Sequence, residues 1–390
     1  MSLRFVFGPS GAGKSRLLYE NLTKRSMEET ERKFLVIVPD QFTMETQKDL
    51  VHFHERGGIL NIDVLSFGRL SYRIFDEVGA LGVPVLDDTG KSLVLQKVAI
   101  ACKEQLPTLG GYLHRQGYIH EVKSAISEFM QYGIGVWDME KLIDYAGKRG
   151  ALVQKLKDLS VLYRGFKDYI QGSFVTTEET LDVLRRSLGK SALVKDSVVV
   201  FDGFTGFTPI QNRVIQEIMG IAKETIVSLT LGEGEDPYHL DGEQRLFHMT
   251  KKTVADLERL SREAGVERGQ DVFLKGSAKD RFCLSPALRS LEKNLFRYQV
   301  VPFKEKQDSI HLFEASTPRE EVHQAGLLLM ELIRKGGMAY RDICGRRSGK
   351  LCALCGVRVC KAWYPGLHRQ DQGNYLKSHD RIYQERSGAL

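Results

Sequence analysis

A glycine-rich loop near the start of the chain constrains its fold more than any other feature. Residues 8–15 read G-P-S-G-A-G-K-S and match the pattern G-x-x-x-x-G-K-[ST] of a phosphate-binding loop, or P-loop. The apolar residues 3–7 predict a strand before the loop, and residues 16–22 predict a helix after it. A strand, glycine-rich turn and helix in this order point backbone N–H groups and the positive helix end at one spot, which suits phosphate.

All eight loop residues form the predicted nucleotide-binding site: Gly8, Pro9, Ser10, Gly11, Ala12, Gly13, Lys14 and Ser15. We expect Lys14 to reach the β- and γ-phosphates as a point charge and Ser15 to offer its hydroxyl to Mg²⁺. The glycines let the backbone approach without a Cβ in the way. ATP and Mg²⁺ are therefore the expected ligands, and an ordinary glycine-rich turn is the alternative.

Length and composition set the outer bounds. A chain of 390 residues with 42% hydrophobic content can bury a large core, and its length suggests two or three domains. No apolar run approaches the roughly 18 to 20 residues that a membrane span needs, and no signal-peptide pattern precedes the first strand. We expect a soluble, cytoplasmic protein without a membrane partner.

The formal charge of +6 at first suggests a polyanionic partner, but its distribution removes that argument. Residues 344–390 hold nine Lys or Arg against three Asp or Glu, so the whole surplus lies in this tail. Residues 1–343 balance at 47 against 47. The net charge therefore says nothing about the partners of the main body.

Strands alternate with helices through most of the chain, which predicts an α/β fold with a parallel sheet. Continuous apolar runs predict buried strands at residues 34–38, 62–66, 197–201, 225–231 and 310–314. Helical periodicity dominates between the second and third of these strands and again at residues 244–265 and 319–335. We also expect Trp137 to lie in the core.

The order of motifs resembles superfamily 1 helicases of the UvrD/RecB type. The P-loop is followed by Thr43 after the second strand, by the segment 64–70 after the third, and by Asp202 at the end of a later strand. Within that group the chain most resembles the AddB family of helicase–nuclease subunits, over residues 1 to about 343. The resemblance implies a P-loop NTPase (RecA-like) parallel sheet with a helical insertion and the start of a second α/β motor domain.

The resemblance also implies domain boundaries, which we place from the composition and the predicted elements. They are a motor domain 1A at 1–88 plus 195–240, a helical insertion similar to domain 1B at 89–194, a helical continuation at 241–307, the start of the second motor domain at 308–343, and a tail at 344–390.

Family motifs imply roles for the matching residues. Segment 64–70 is similar to the Ser-Phe-Gly motif, which implies that Ser66, Phe67 and Gly68 contact single-stranded DNA, and Thr43 sits where the preceding DNA-contact motif would fall. Asp202 is implied to act with Ser15 at Mg²⁺. The nearby Tyr72, Arg73 and Phe75 fit either DNA stacking or the two faces of one helix.

Residues 202–211 align without gaps on the family's D-E-F-Q-D-T-N-P-L-Q, with matches at Asp202, Phe204, Pro209 and Gln211. Gly203 replaces the glutamate that orients the attacking water, and a hydrogen atom cannot act as a general base. No catalytic residue is therefore assigned, and we expect nucleotide binding with weak or absent hydrolysis. The implied partners are an AddA-type helicase–nuclease subunit and single-stranded and double-stranded DNA ends.

Two other functions are compatible with the P-loop: a small-molecule or nucleotide kinase, and a purely structural P-loop domain. The segment 64–70 and the long helical insertion favour the DNA-repair interpretation, because a compact kinase would have neither.

The tail 344–390 contains Cys352, Cys355 and Cys360, which with Cys344 or His368 could ligate zinc or an iron–sulfur cluster. We reject this metal site in favour of a shifted reading frame after residue 343, because the surrounding residues match no part of the family's C-terminal nuclease domain, where its cluster-binding cysteines lie. The family's iron–sulfur cluster is expected only in a C-terminal part that this chain lacks. A frame-shifted tail is expected to be disordered.

Overall fold

A parallel β-sheet organises the first unit of the chain, Met1–Lys304, in the computed structural model. The structure describes residues 1–79, 82–112, 115–147, 149–276, 281–297 and 301–339. The strands are β1 (Ser2–Gly8), β2 (Phe34–Ile37), β3 (Ile62–Leu65), β4 (Val85–Leu86), β5 (Val175–Thr176), β6 (Val198–Phe201), β7 (Glu224–Thr230), β8 (Glu267–Arg268) and β9 (Val272–Phe273).

The main sheet has the strand order β3-β2-β6-β7-β1-β8, and β9 pairs with β1 beyond the end of β8. Every pairing in it is parallel. Strands β4 and β5 form a separate parallel pair. The prediction of an α/β fold with a parallel sheet is confirmed.

Helices lie between and after these strands along the chain. They are α1 (Lys14–Glu28), α2 (Thr43–Phe53), α3 (Phe67–Val78), α4 (Asp88–Ala101), α5 (Gln116–Gln131), α6 (Asp138–Ala146), α7 (Gly150–Ile170), α8 (Thr177–Ser187), α9 (Pro209–Met219), α10 (His248–Glu263), α11 (Pro286–Asn294) and α12 (Pro318–Arg334). Short 3₁₀ turns lie at Asp40–Phe42, Lys103–Gln105 and Leu188–Lys190.

Both faces of the main sheet are buried, which explains why its central strands are apolar at nearly every position. On one face, Phe5, Ile37 and Phe201 pack with side chains of α3, α8, α9 and α10. On the other face, Val36 and Val200 pack with side chains of α1 and α2. The carboxyl ends of the strands are thereby held in fixed positions relative to one another.

Helices α4, α5, α6 and α7 share a second core inside the predicted insertion. Helix α8 does not join it, because Leu184 packs in the core of the main sheet. The insertion predicted at 89–194 therefore contributes its last helix to the sheet. The domain boundaries themselves stay a prediction.

The second unit is Glu305–Leu390, of which residues 305–339 are described. Helix α12 confirms the helix predicted at 319–335, and the Thr317 hydroxyl accepts a hydrogen bond from the Glu320 N–H at its start. The strand predicted at 310–314 is wrong, because the described residues of this unit, 305–339, form no strand.

The Trp137 side chain lies at the protein surface. Trp137 is 81% exposed at the start of α6, so the expectation that it lies in the core is wrong. Its neighbours Val136 and Met139 pack in the insertion core, whereas the indole points outward.

None of the helices in the described ranges is long and apolar enough to span a membrane.

Candidate functional site

The residues predicted to carry function follow the carboxyl ends of four strands. The P-loop follows β1, Thr43 lies beyond β2, Ser66 follows β3, and Asp202 follows β6. Because all these strands are parallel, their carboxyl ends meet at one edge of the sheet, where ligands of open α/β sheets bind. The strand order places Asp202 two strands from the P-loop and Ser66 four strands from it.

The P-loop wraps closely around the start of α1. Gly11 has φ +76° and Gly13 has φ +89°, the left-handed region that favours glycine. Gly13 caps α1 without a side-chain hydrogen bond, and the first turn of the helix holds no acidic residue. The helix N-terminus therefore presents N–H groups and positive potential to an anion.

Lys14 lies inside the curve of the loop. Its Nζ donates hydrogen bonds to the carbonyls of Gly8 and Pro9, both at 3.0 Å. Burial lowers the pKa of the Lys14 ammonium, while the Asp202 carboxylate opposes that effect. A phosphate group would restore favourable surroundings for this partly desolvated cation.

A cavity of about 430 Å³ opens in front of the loop. Its wall includes Lys14, Ser15, Asp49 and Asp202, so the structure brings together the residues assigned to phosphate and Mg²⁺. We call it the P-loop cavity. Among described residues, no hydrogen bond ends on Oδ1 of Asp202, which leaves this oxygen and the Ser15 hydroxyl as candidate ligands for a hydrated Mg²⁺. Oxygen ligands of this kind match the preference of that ion.

Two residues of the cavity were missed by sequence reasoning. Tyr19 of α1 donates a hydrogen bond to Oδ2 of Asp202 at 2.8 Å. It lies one helical turn beyond Ser15, and this i, i+4 spacing was a signal that could have found it. Burial raises the pKa of the Tyr19 hydroxyl far above its usual value, and the Asp202 charge adds to the effect, so Tyr19 stays protonated.

Arg281 is the second missed residue. Its side chain lines the P-loop cavity, and its backbone N–H donates to the carbonyl of Gly11 at 3.2 Å. Its guanidinium contributes to the lowered pKa of Lys14, behind burial as the main cause. Arg281 lies 267 positions after Lys14 in the sequence and belongs to no local motif, so nothing in the pattern pointed to it.

Gly203, directly after Asp202, also lines the cavity. Its φ of +79° lies in the left-handed region, and a Cβ built there would be 3.5 Å from Pro39 and Phe42. The space would accept a side chain, but the backbone would not do so without strain. The position that holds glutamate in the aligned motif therefore has a backbone conformation here that favours glycine.

The residues predicted to contact DNA have local structural roles. The Thr43 hydroxyl donates to the carbonyl of Asp40 at 3.0 Å, and the Ser66 hydroxyl caps α3 by accepting from the Arg69 N–H at 3.3 Å. Both side chains are buried, whereas Gly68 is exposed. Their contact with DNA stays a prediction.

Phe67 is 7% exposed, and its ring stacks on Phe201 with 5.9 Å between centroids. Phe204 and Phe207 complete this cluster from the segment that follows Asp202. The ring thus fixes α3 against that segment and is not presented at the surface. In the helix beyond, Phe75 is buried and Tyr72 is 49% exposed, which matches the two faces of one helix.

The matches at the end of the Asp202 motif also have structural reasons. Pro209 is the first residue of α9, and the Gln211 side chain accepts from the Thr208 N–H at 2.9 Å in a capping box. Both residues therefore start the helix that follows β6 along the chain. The cysteines weighed as metal ligands, Cys352, Cys355 and Cys360, lie outside the described residues together with the whole of 340–390.

This sheet and its loop define a P-loop α/β protein, and comparison with known sequences identifies its family. The profile of the family described as "ADDB, N-terminal" matches residues 5–292. The chain therefore belongs to the AddB family.

Curated relatives with similar sequences are named as the B subunit of an ATP-dependent helicase/deoxyribonuclease. The proteins from Lachnoclostridium phytofermentans, Caldanaerobacter subterraneus subsp. tengcongensis and Acetivibrio thermocellus are 39%, 32% and 30% identical over 346 residues, or 88% of this chain. The match spans only 30%, 29% and 30% of their respective lengths.

Proposed function

We propose that this chain is the ATP- and DNA-binding N-terminal part of an AddB-type subunit, in a heterodimeric helicase–nuclease that processes DNA double-strand ends for recombinational repair. The observation that carries the proposal is the P-loop cavity, where Lys14, Ser15 and Asp202 converge from two strand ends. The names of the relatives, which describe one subunit of a helicase and deoxyribonuclease, support the same role.

Nucleotide binding is supported by the chemistry of the cavity. Lys14 supplies the cation, the start of α1 supplies N–H donors, and Ser15 with Asp202 supplies oxygens for Mg²⁺. These residues would orient the triphosphate. Mg²⁺, when bound, would neutralise charge on the phosphate oxygens.

The residues around the cavity do not favour efficient ATP hydrolysis by this chain. Gly203 offers no side chain to position a water molecule, and its left-handed backbone disfavours the glutamate that would do so. The Asp49 carboxylate also lines the cavity, and burial raises its pKa, with the Glu45 charge adding to the effect. We expect turnover by this chain to be weak or absent, with translocation supplied by an AddA-type partner subunit.

We assign DNA binding to the neighbouring part of the same sheet edge, around Thr43, Ser66 and Gly68. This part is built from the loops after β2 and β3, which follow on from Asp202 in the strand order. Because Phe67 is buried, contacts here would come from backbone groups and exposed neighbours such as Arg69 and Gly68. Phosphate contacts of this kind make affinity depend on salt.

The test is a titration of the full chain into labelled single-stranded DNA at several salt concentrations, with and without Mg²⁺ and ATP. Salt-dependent binding, with log affinity falling linearly against log salt, is expected because phosphate contacts release counterions. Binding that is absent, or that does not respond to salt, would contradict the DNA-binding part of the proposal. The kinase alternative predicts phosphoryl transfer to small hydroxyl compounds and no affinity for DNA.

A further inference from the structure

Tyr19 occupies a position that the proposed phosphate and metal chemistry does not use. Tyr19 lines the P-loop cavity, and Tyr19, Thr46 and Asp202 are each only 4% exposed. The Tyr19 hydroxyl is 2.8 Å from Oδ2 of Asp202 and 3.3 Å from Oγ1 of Thr46. Three buried polar groups from α1, α2 and the end of β6 thus form one continuous hydrogen-bonded chain.

The direction of these hydrogen bonds follows from their chemistry. An ionised carboxylate only accepts, so the single phenolic proton of Tyr19 must point at Asp202. The tyrosine oxygen is then free to accept from Thr46.

We propose that Tyr19 is a positioning residue of the nucleotide site, which holds Asp202 with Oδ1 directed to a magnesium ion and joins this carboxylate to α2. The inference rests on the proposed function. Hydrogen bonds to the outer oxygen of a metal-binding carboxylate fix its orientation. Without the Tyr19 hydroxyl, no donor among described residues would serve Oδ2, and a buried carboxylate without a donor is disfavoured.

The hydrogen bond to Thr46 gives Tyr19 a second role. Helix α2 begins at Thr43, the residue expected to contact DNA, and Thr46 lies on the same helix one turn further on. A change in Asp202 on nucleotide binding would reach α2 through two hydrogen bonds. Tyr19 thereby connects the P-loop cavity to the neighbouring part of the sheet edge.

The experiment measures the affinity of the full chain for ATP twice, with excess Mg²⁺ and with EDTA, and takes the ratio of the two dissociation constants. Tyr19→Phe keeps the ring and removes the hydroxyl, so we expect it to lower this Mg²⁺ enhancement by about tenfold or more. Affinity in EDTA should stay near the wild-type value, because the P-loop itself is intact. Thr46→Val should give a smaller decrease, about two- to fivefold, because it removes only the second bond.

Tyr163→Phe is the matched control. Tyr163 is a buried tyrosine of the insertion core, 2% exposed, whose hydroxyl donates to the carbonyl of Ile134 at 3.0 Å. The Tyr163→Phe variant should lose the hydrogen bond of a buried tyrosine and leave the Mg²⁺ enhancement unchanged. If Tyr19→Phe behaves like Tyr163→Phe, the positioning role is overturned while nucleotide binding stands. Should Tyr19→Phe fail to fold, Thr46→Val decides by the same ratio.

The proposed function fails in a different way. Wild-type protein would then show no ATP binding, or binding that Lys14→Ala leaves unchanged, and both proposals would fall together. Mg²⁺-dependent binding that Lys14 supports but Tyr19 does not affect overturns the positioning role alone.

Discussion

The backbone N–H of Arg281 donates to the carbonyl of Gly11 at 3.2 Å, which fixes a distant segment of the chain against the P-loop. Phe282 approaches the same glycine, so that a Cβ at Gly11 would lie 2.9 Å from its ring. The P-loop is therefore covered on this side by residues of the same unit. This arrangement adds Arg281 to Lys14 and Arg16, the other basic residues that line the cavity.

We expect Arg281→Ala to weaken ATP binding about five- to thirtyfold, because it removes a charged donor from the cavity wall. The loss should be much smaller for AMP, which has fewer phosphates to contact. Arg164→Ala, at an exposed arginine of α7, serves as control. Isothermal titration with ATP and AMP measures both. Equal affinities in wild-type and Arg281→Ala proteins would show that the guanidinium does not face the phosphates.

The lowered pKa of Lys14 predicts how nucleotide binding responds to pH. Bound phosphate favours the charged amine, so binding above the lowered pKa requires proton uptake. Affinity should be full below that pKa and should fall as pH rises through it, before an ordinary lysine would lose its charge. Lys14→Arg, which stays protonated, should remove this decline. Dissociation constants for ATP from neutral to alkaline pH test it, and a flat wild-type profile would be inconsistent with the buried ammonium.

The aromatic cluster predicts that Phe67 matters for stability rather than for stacking on DNA. Phe67→Ala should lower the free energy of unfolding by about 3–5 kcal/mol, the usual cost of emptying a buried phenylalanine site. Tyr72→Ala, at the exposed face of the same helix, should cost far less. Urea denaturation measures both. Phe67→Leu, which keeps most of the volume, should retain its DNA affinity; a large loss in that folded variant would restore the ring as a DNA contact.

At Gly203 the left-handed backbone predicts strain for other residues. Gly203→Ala should destabilise the protein by about 1–2 kcal/mol, whereas Gly203→Asn should cost less, because asparagine tolerates this region better. Gly58→Ala, at a glycine with open space and no positive φ, is the control. Gly203→Glu should not activate ATP hydrolysis. A strong gain in turnover by that variant would mean that the missing glutamate alone limits catalysis.

Local sequence patterns predict the strands well where both faces of a strand are buried. The apolar runs of β2 and β6 and the glycines of the P-loop carry their structure in adjacent residues. The prediction of a strand at 310–314 was wrong, because a strand needs neighbouring strands to pair with and an apolar run does not supply them. Trp137 failed because hydrophobicity alone does not fix which way a helix faces.

The site is predictable in its P-loop half. Motifs identify Lys14, Ser15 and Asp202, and the structure brings them to one cavity. Arg281 could not be found, since its position depends on how residues 281–282 fold back onto Gly11. Tyr19 could have been found by its spacing from Ser15, but only with the knowledge that Asp202 lies beside it. For Phe67 the motif was misleading, because it implies a DNA contact for a ring that the fold buries.

Titration of ATP with Mg²⁺ into wild-type, Lys14→Ala and Lys24→Ala proteins tests the central claim most directly. Lys24 is an exposed lysine of the same helix and controls for the loss of one positive charge. The account predicts that Lys14→Ala weakens binding about tenfold or more, because a charged donor to phosphate is lost, while Lys24→Ala binds like wild type. Equal affinity in all three proteins would contradict nucleotide binding at the P-loop.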